Sequence, residues 1–290
     1  VNKLHSVETL GCASVICSDK TGTITENKMT VTELYTVGGE YFFGGRGYKI
    51  SGSVSKGAEH TSVNPMSEKA LTEALKCAVM CSTAEISAPV KPRSRNRGAL
   101  VGKGEWQTTG DPTEIALLVA AAKAGVTNAS LQSTLRRTEE YPFDSETRFM
   151  AVHCLHGTSG KTYFKGAEEV ILPRCSQYMS DSGEILPLTP AIRRKLADRT
   201  IEMSDKALRV LALAVSESDS FDPNGAGLTF LGLSGMIDPP REEAKLAIRK
   251  CAAASVKTVM ITGDHKNTAV AVARKAGLLR GGKAMTGAEL

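Results

Sequence analysis

The segment Ser18-Asp19-Lys20-Thr21-Gly22-Thr23 gathers a carboxylate, an ammonium group, hydroxyls and a glycine into one short stretch. A carboxylate at the end of a strand can attack a phosphoryl group and become an acyl phosphate. A tight turn at Gly22 would expose backbone N–H groups able to hold phosphate oxygens. Thr23 adds a hydroxyl, and Lys20 adds positive charge beside them. Taken alone, an Asp at a strand end serves more often as a turn or cap residue, but the whole string is far more specific. A second polar triplet, Thr262-Gly263-Asp264, follows the apolar run Lys257–Ile261. Ligands of open α/β sheets gather at the carboxyl ends of strands, and both Asp19 and this triplet are expected at such an end.

The elements that must position these groups can be read in outline. Ala13–Ser18 reads as a short buried strand centred on Val15 and Ile16. From Met29 to Ile50 the pattern is β, broken at Gly38-Gly39 and Gly44-Gly45. Pro65–Cys81 has helical spacing, with Leu71, Leu75, Ala78 and Val79 on one face. Residues 84–106 show no period and carry Lys91, Arg93, Arg95 and Arg97. They read as a flexible surface loop, with contact to an acidic partner or a membrane surface as the alternative.

Asp111-Pro112-Thr113-Glu114 reads as a helix start, with Asp111 as N-cap, Pro at the first position and Glu114 closing a capping box. That helix should run to about Ala124 and stop at Gly125. Residues 138–164 read as strands with a hairpin turned at Gly157–Gly160. Helices are expected at about 167–174 and 190–206, then strands at Arg209–Val215 and Leu228–Leu233. After Gly235 the rhythm is α/β: helix Arg241–Ala254, buried strand Lys257–Ile261, helix Lys266–Ala276. The simplest architecture is an α/β domain made from residues 1–31 and 234–290. An α+β domain on an antiparallel sheet, residues 32–233, is inserted into it.

Composition narrows the function classes. At 290 residues, 41% hydrophobic and 23% charged, the chain suits about two globular domains. A net charge of +5 is mild; nucleic-acid binders concentrate far more on one face, so no nucleic-acid partner is expected. Seven Cys at irregular spacing give neither a disulfide framework nor a zinc pattern, and Cys77 and Cys81 are the closest pair. Buried thiols in a reducing compartment are the expectation. Apolar runs such as Ile115–Ala122 fall far short of the ~18 residues a membrane span needs, so the chain by itself should be soluble. It opens without an initiator Met, so a cut through a longer protein is expected at both ends.

Ile16-Cys17-Ser18-Asp19-Lys20-Thr21-Gly22-Thr23-Ile24-Thr25 resembles the phosphorylation signature of the P-type ATPases, with Ile24 where Leu is commoner. Val7-Glu8-Thr9-Leu10-Gly11 is similar to the approach found in the type II subgroup, which includes calcium and sodium/potassium pumps. Further motifs follow in the family's order. Gly110-Asp111-Pro112-Thr113-Glu114 resembles the adenine-side motif, and Pro142-Phe143-Asp144-Ser145 the segment whose aromatic stacks on adenine. Lys165-Gly166-Ala167 is similar to the nucleotide-site motif, and Arg209 lies in a stretch similar to that bearing the phosphate-side arginine. Asp238-Pro239-Pro240-Arg241 resembles the return to the phosphorylation domain, and Thr262-Gly263-Asp264 the next active-site loop.

The resemblance implies a haloacid-dehalogenase-like phosphorylation domain, ATP and Mg²⁺ as ligands, and cation transport, Ca²⁺ being the best match. It implies that Asp19 is phosphorylated and that the Thr21 carbonyl joins Asp19 on Mg²⁺. Lys20, Thr23, Thr262, Gly263 and Asp264 would surround the phosphoryl group. Phe143 would stack on adenine; Asp111, Thr113, Glu114, Lys165 and Gly166 would line that pocket. Arg148 and Arg209 would face the ATP phosphates, Arg148 standing where Lys is common. Asp238 and Arg241 would shape the return to the first domain, beside a two-strand hinge near residues 30–34 and 232–238. Glu168 stands where Pro is common after Lys-Gly-Ala, and His265 where Asn, Lys or Asp is commoner. The chain ends before the family's second aspartate-rich loop and the lysine preceding it. It is therefore expected to bind nucleotide with little turnover, as a monomer, on the cytoplasmic side of a membrane. Its partners would be the actuator and transmembrane domains of its own protein.

Two rivals bear on this reading. A soluble phosphatase of the haloacid-dehalogenase class shares the strand-end aspartate but places a second Asp two residues on, where this chain has Thr21. The other is a nucleotide-binding module without catalysis.

Overall fold

The computed structural model describes residues 11–45, 47–87, 106–264, 266–279 and 281–289. Val7-Glu8-Thr9-Leu10, the basic residues Lys91, Arg93, Arg95 and Arg97, and His265 lie outside the described residues. The chain divides into two compact units. One comprises Val1–Lys28, Asp205–Leu208 and Asp238–Leu290; the other Met29–Ser204 and Arg209–Ile237.

Along the chain the strands and helices follow the residue pattern closely. β1 (Val15–Asp19) leads into a loop over Lys20–Ile24 that Gly22 turns at φ +77°. β2 (Thr30–Thr36) and β3 (Gly39–Phe43) form a hairpin, continued by the short β4 (Val54–Lys56) and β5 (Thr61–Ser62). Pro65–Ser67 makes a 3-10 turn, so the helix α1 (Lys69–Met80) starts later than its periodicity suggests. β6 (Glu85–Ser87) and β7 (Gln107–Thr109) pair with each other. α2 (Pro112–Lys123) is capped by Asp111, whose carboxylate accepts from Thr113 N and Glu114 N; Gly125 beyond its end sits at φ +81°.

α3 (Asn128–Leu131) precedes β8 (Arg136–Tyr141), and β9 (Phe149–His156) turns at Gly157 into β10 (Ser159–Gly166). α4 (Glu168–Ile171), β11 (Cys175–Met179), β12 (Ile185–Pro187) and α5 (Pro190–Asp205) lead to β13 (Arg209–Ser216). β14 (Leu228–Ile237) runs past Leu233 and is buried throughout. α6 (Glu242–Ala253), β15 (Lys257–Ile261) and α7 (Lys266–Lys275) complete the described elements.

In the larger unit the sheet order is β5-β4-β3-β2-β14-β13-β10-β9-β8, with β11 pairing β14 and β12. All pairings are antiparallel except β11 with β14. β14 is the spine: beside β13 along most of its length, it meets β11 at its start and β2 at its end. A buried strand with neighbours on both sides has no free ladder groups, which suits the apolar Leu228–Leu233 run. α1 and α2 pack on this sheet, joining Leu71, Leu75 and Leu117 to Leu34, Tyr41, Met150, Tyr163 and Leu231 in one core. α2 is buried from Thr113 to Ala122, which its near-uniform apolar sequence allows.

In the smaller unit β1 and β15 pair in parallel, Asp19 opposite Ile261. The two loops singled out for chemistry therefore leave the same end of one strand pair. The strands are correctly located, but neither is buried as expected. Val15 is 47% exposed, Ile16 41% and Ile261 59%. Among the described residues each strand has one strand partner. The thiols divide similarly: Cys77, Cys81, Cys154 and Cys175 are buried, whereas Cys12 and Cys17 are exposed. No described helix is long and apolar enough to cross a membrane.

Candidate functional site

In the smaller unit the Asp19 side chain is exposed at the carboxyl end of β1, and Thr21, Gly22 and Thr23 beyond it are exposed as well. The loop holds its shape through its own polar atoms. Thr25, fully buried, donates from its backbone N–H to the Lys20 carbonyl at 2.9 Å. The Thr25 hydroxyl stands 3.0 Å from that carbonyl and 2.5 Å from Asp238 Oδ2. Its single proton serves one of them at a time, and the charged carboxylate is the stronger acceptor. Asp238 Oδ1 accepts from Lys28 N at 3.1 Å. Arg241 donates from Nε to Thr25 O at 2.9 Å and from Nη2 to Gly22 O at 3.1 Å. Arg241 thus braces the loop through backbone carbonyls, and Asp238 through the Thr25 hydroxyl and the Lys28 N–H.

Lys20 is buried, and its ammonium group pairs with the Asp264 carboxylate, which belongs to the loop after β15. Asp264 N donates to Thr262 Oγ1 at 3.1 Å, curling that loop. A Cβ on Gly263 would meet nothing within 4 Å, so this backbone borders open space. Among the described residues no group of three or more His, Cys, Asp or Glu could hold a metal ion. Two oxygen donors, the Asp19 carboxylate and the Thr21 carbonyl, still suit Mg²⁺, which keeps several waters and binds through one or two protein oxygens plus substrate phosphates.

In the larger unit the polar residues converge on the N-terminus of α2. Glu114 is 8% exposed and Lys165, on β10, is 5% exposed; Lys165 Nζ donates to Glu114 Oε1 at 2.9 Å. Glu114 Oε2 accepts from Thr83 N at 2.8 Å, Thr83 Oγ1 at 3.0 Å and Ala84 N at 3.0 Å. The carboxylate therefore does not close the expected capping box. A charged neighbour and three donors outside the helix hold it more strongly than the Asp111 N–H could. Burial pushes the Glu114 carboxyl up, but the Lys165 ammonium and the Thr83 donors outweigh it and hold it below its ordinary value. Arg209 Nη1 donates to Thr113 Oγ1 at 3.2 Å, bringing the arginine to the same helix end.

Gly166 follows Lys165 where no side chain fits: a Cβ there would stand 2.5 Å from Phe149 Cβ and 2.7 Å from Arg148 O. Arg148, at φ +57°, donates its N–H to Asp144 O at 2.7 Å and accepts from Ala167 N at 2.9 Å. Its guanidinium pairs with Glu169, Nη1 to Oε1 at 2.5 Å, at the surface. Burial and the charge of Glu169 push the adjacent Glu168 carboxyl up. Phe143 is 58% exposed on the loop between β8 and β9, whereas Phe149 is buried and stacks on Tyr141 with ring centroids 5.1 Å apart. An exposed ring is not explained by core packing.

Sequence reasoning joined Glu114, Thr113, Asp111, Lys165 and Arg209, and the structure ties these together by hydrogen bonds. It missed Thr83 and Ala84, which reach Glu114 from a turn some thirty residues upstream with no local signal, and Glu169, the partner of Arg148. Thr25 ended the quoted signature without a role, although its buried hydroxyl is the link from the loop to Asp238.

The family model for the P-type ATPase cytoplasmic domain N matches residues 70–243, more than half of the chain. The chain belongs to the P-type ATPases. The matched span holds Glu114, Phe143, Arg148, Lys165 and Arg209. A calcium-transporting ATPase of Bacillus subtilis is 41% identical over 99% of the chain and 31% of its own length. Cation-transporting ATPase pma1 of Synechocystis is 38% identical over 96% of the chain and 30% of its length. Human calcium-transporting ATPase type 2C member 1 is 40% identical over 96% of the chain and 28% of its length. The chain thus spans less than a third of the length of these relatives.

Proposed function

We propose that this chain is the part of a cation pump that binds ATP and becomes phosphorylated on Asp19, and that the pump carries Ca²⁺ across a membrane. The carrying observation is the Asp19 carboxylate, exposed at the end of β1 in register with the strand leading to Thr262-Gly263-Asp264. Relatives named calcium-transporting ATPase favour Ca²⁺ as cargo. In this reading residues 1–31 and 234–290 belong to a haloacid-dehalogenase-like phosphorylation domain, and 32–233 to the nucleotide domain.

Phe143 stacks on the adenine, Glu114 accepts from its amino group, and Lys165, Asp111, Thr113 and Gly166 shape the pocket. Arg148 and Arg209 face the phosphates, Arg148 after release from Glu169. An Asp19 oxygen attacks the γ-phosphorus; the bond from that phosphorus to the β–γ bridging oxygen breaks, and ADP leaves with the electron pair. The Thr21–Thr23 turn and Thr23 Oγ1 hold the transferred oxygens. Lys20, kept in place by Asp264, offsets charge beside them, with Thr262 and Gly263 lining the other side. Bound Mg²⁺, held by the Asp19 carboxylate and the Thr21 carbonyl, would supply charge neutralisation on the transferring group. Thr21 stands where a phosphatase would carry its second carboxylate, so that position supplies no acid/base to hasten hydrolysis of the acyl phosphate.

The test is radiolabel transfer from γ-labelled ATP in the full-length protein with Mg²⁺ and Ca²⁺. A hydroxylamine-sensitive label that depends on Ca²⁺ and vanishes in Asp19→Asn is expected. A label persisting in that variant would overturn the assignment.

A further inference from the structure

Glu114 uses its two oxygens unequally. Oε2 takes three donors, Thr83 N, Thr83 Oγ1 and Ala84 N, whereas Oε1 takes Lys165 Nζ alone. A carboxylate offers roughly two lone-pair positions per oxygen, so Oε2 is filled and Oε1 keeps one position open. The turn that supplies these donors is itself pinned. Gly110, at φ +119°, approaches Ala84 so closely that a Cβ there would stand 2.7 Å from Ala84 Cα and Cβ. Ser82 Oγ donates to Ala78 O at 2.8 Å, and Arg137 Nη1 donates to Ser82 O at 3.1 Å. Gly110 opens the adenine-side motif, and its place against Ala84 gives that glycine a physical reason.

We propose that Thr83 is a positioning residue for base recognition: by filling Oε2 it fixes the carboxylate plane and leaves Glu114 Oε1, beside Lys165, as the acceptor for the exocyclic amine of adenine. The proposal rests on the reading of Glu114 as the base-side residue. An amine at the purine 6-position donates to Oε1, whereas a 6-oxo group sets a lone pair against the carboxylate. A buried acceptor built for a donor rejects an analogue lacking it, because the polar group is left unmatched. That discrimination requires the carboxylate to be held still. Without the Thr83 hydroxyl, Oε2 keeps only its two backbone donors, and the carboxylate is held less firmly. The lowered Glu114 carboxyl comes partly from these same Thr83 donors.

Thr83 is exposed, so Thr83→Val keeps the shape of the side chain without its hydroxyl; Thr83→Ala is the second variant should the first fail to fold. Affinities of the 290-residue chain for ATP and inosine triphosphate are measured by calorimetry without Mg²⁺, and Glu114 is titrated by its carboxyl ¹³C shift. Thr83→Val should lower the ATP-over-inosine preference about three- to tenfold, the size of one ordinary net hydrogen bond. It should also raise the Glu114 titration midpoint, and Thr83→Ser should restore both. If Glu114→Gln erases the preference while Thr83→Val leaves preference and midpoint unchanged, Thr83 has no aiming role and the base reading stands. If the wild type binds both nucleotides equally and Glu114→Gln changes nothing, the base reading and the proposal fall together.

Discussion

The two candidate sites are built on opposite terms. Around Glu114 and Lys165 the polar groups are buried, hydrogen-bonded to one another and carried on a long antiparallel sheet with two packed helices. Around Asp19 the loop is exposed, at the end of two paired strands. Base recognition depends on donors and acceptors fixed before the ligand arrives, and burial supplies that. A nucleophile must instead be reached by a phosphate brought from elsewhere, and exposure supplies that. On the proposed reading, Glu114 and Lys165 in the first region serve both function and stability; in the second the two are separated, with Thr25, Asp238 and Arg241 bracing the loop and Asp19 left open.

Glu114→Ala breaks this comparison hardest. It leaves the Lys165 ammonium buried without its partner, at a cost of about 3 kcal/mol in unfolding free energy. Asp19→Asn, changing an exposed group, should leave the denaturation midpoint in place. The same experiment has a pH signature. The folded-state pKa of Glu114 lies below its ordinary 4.5, so its contribution is complete above that value and is lost as pH falls through the folded-state value. In Glu114→Ala that part of the acid sensitivity should disappear. Equal midpoints for Glu114→Ala and the wild type at neutral pH would remove the idea of a shared structural role.

Phe143→Ala gives a smaller effect on the functional side only. The ring is mostly exposed, so its loss should weaken ATP binding by ~1–2 kcal/mol while the thermal midpoint stays unchanged. A variant that unfolds early but binds normally would mark Phe143 as a packing residue.

The parts of this account that were legible in the sequence are those with local causes. Asp111-Pro112 announces the start of α2, Gly22 the turn after β1, and the apolar runs the central strands. Burial of β1 and β15 was not legible, because the residue pattern specifies an apolar strand but not how many neighbours it finds. The use of Glu114 was misread for a related reason. A capping box is the local option for a Glu at that position, and the structure replaces it with Thr83, Ala84 and Lys165, all distant in sequence. Arg148 and Glu169 pair across twenty-one positions, again beyond any local pattern.

The contrast between the two regions is tested most directly by titrating the isotope-labelled chain with ATP in the absence of Mg²⁺. The account predicts binding of about millimolar strength, roughly −4 kcal/mol, with amide shifts at Phe143, Lys165 and Gly166 and around Glu114. Asp19, Thr21 and Thr262 should stay in place, since nothing there is prearranged for the base. Shifts confined to residues 19–25 and 262–264, with none at Phe143 or Lys165, would contradict it.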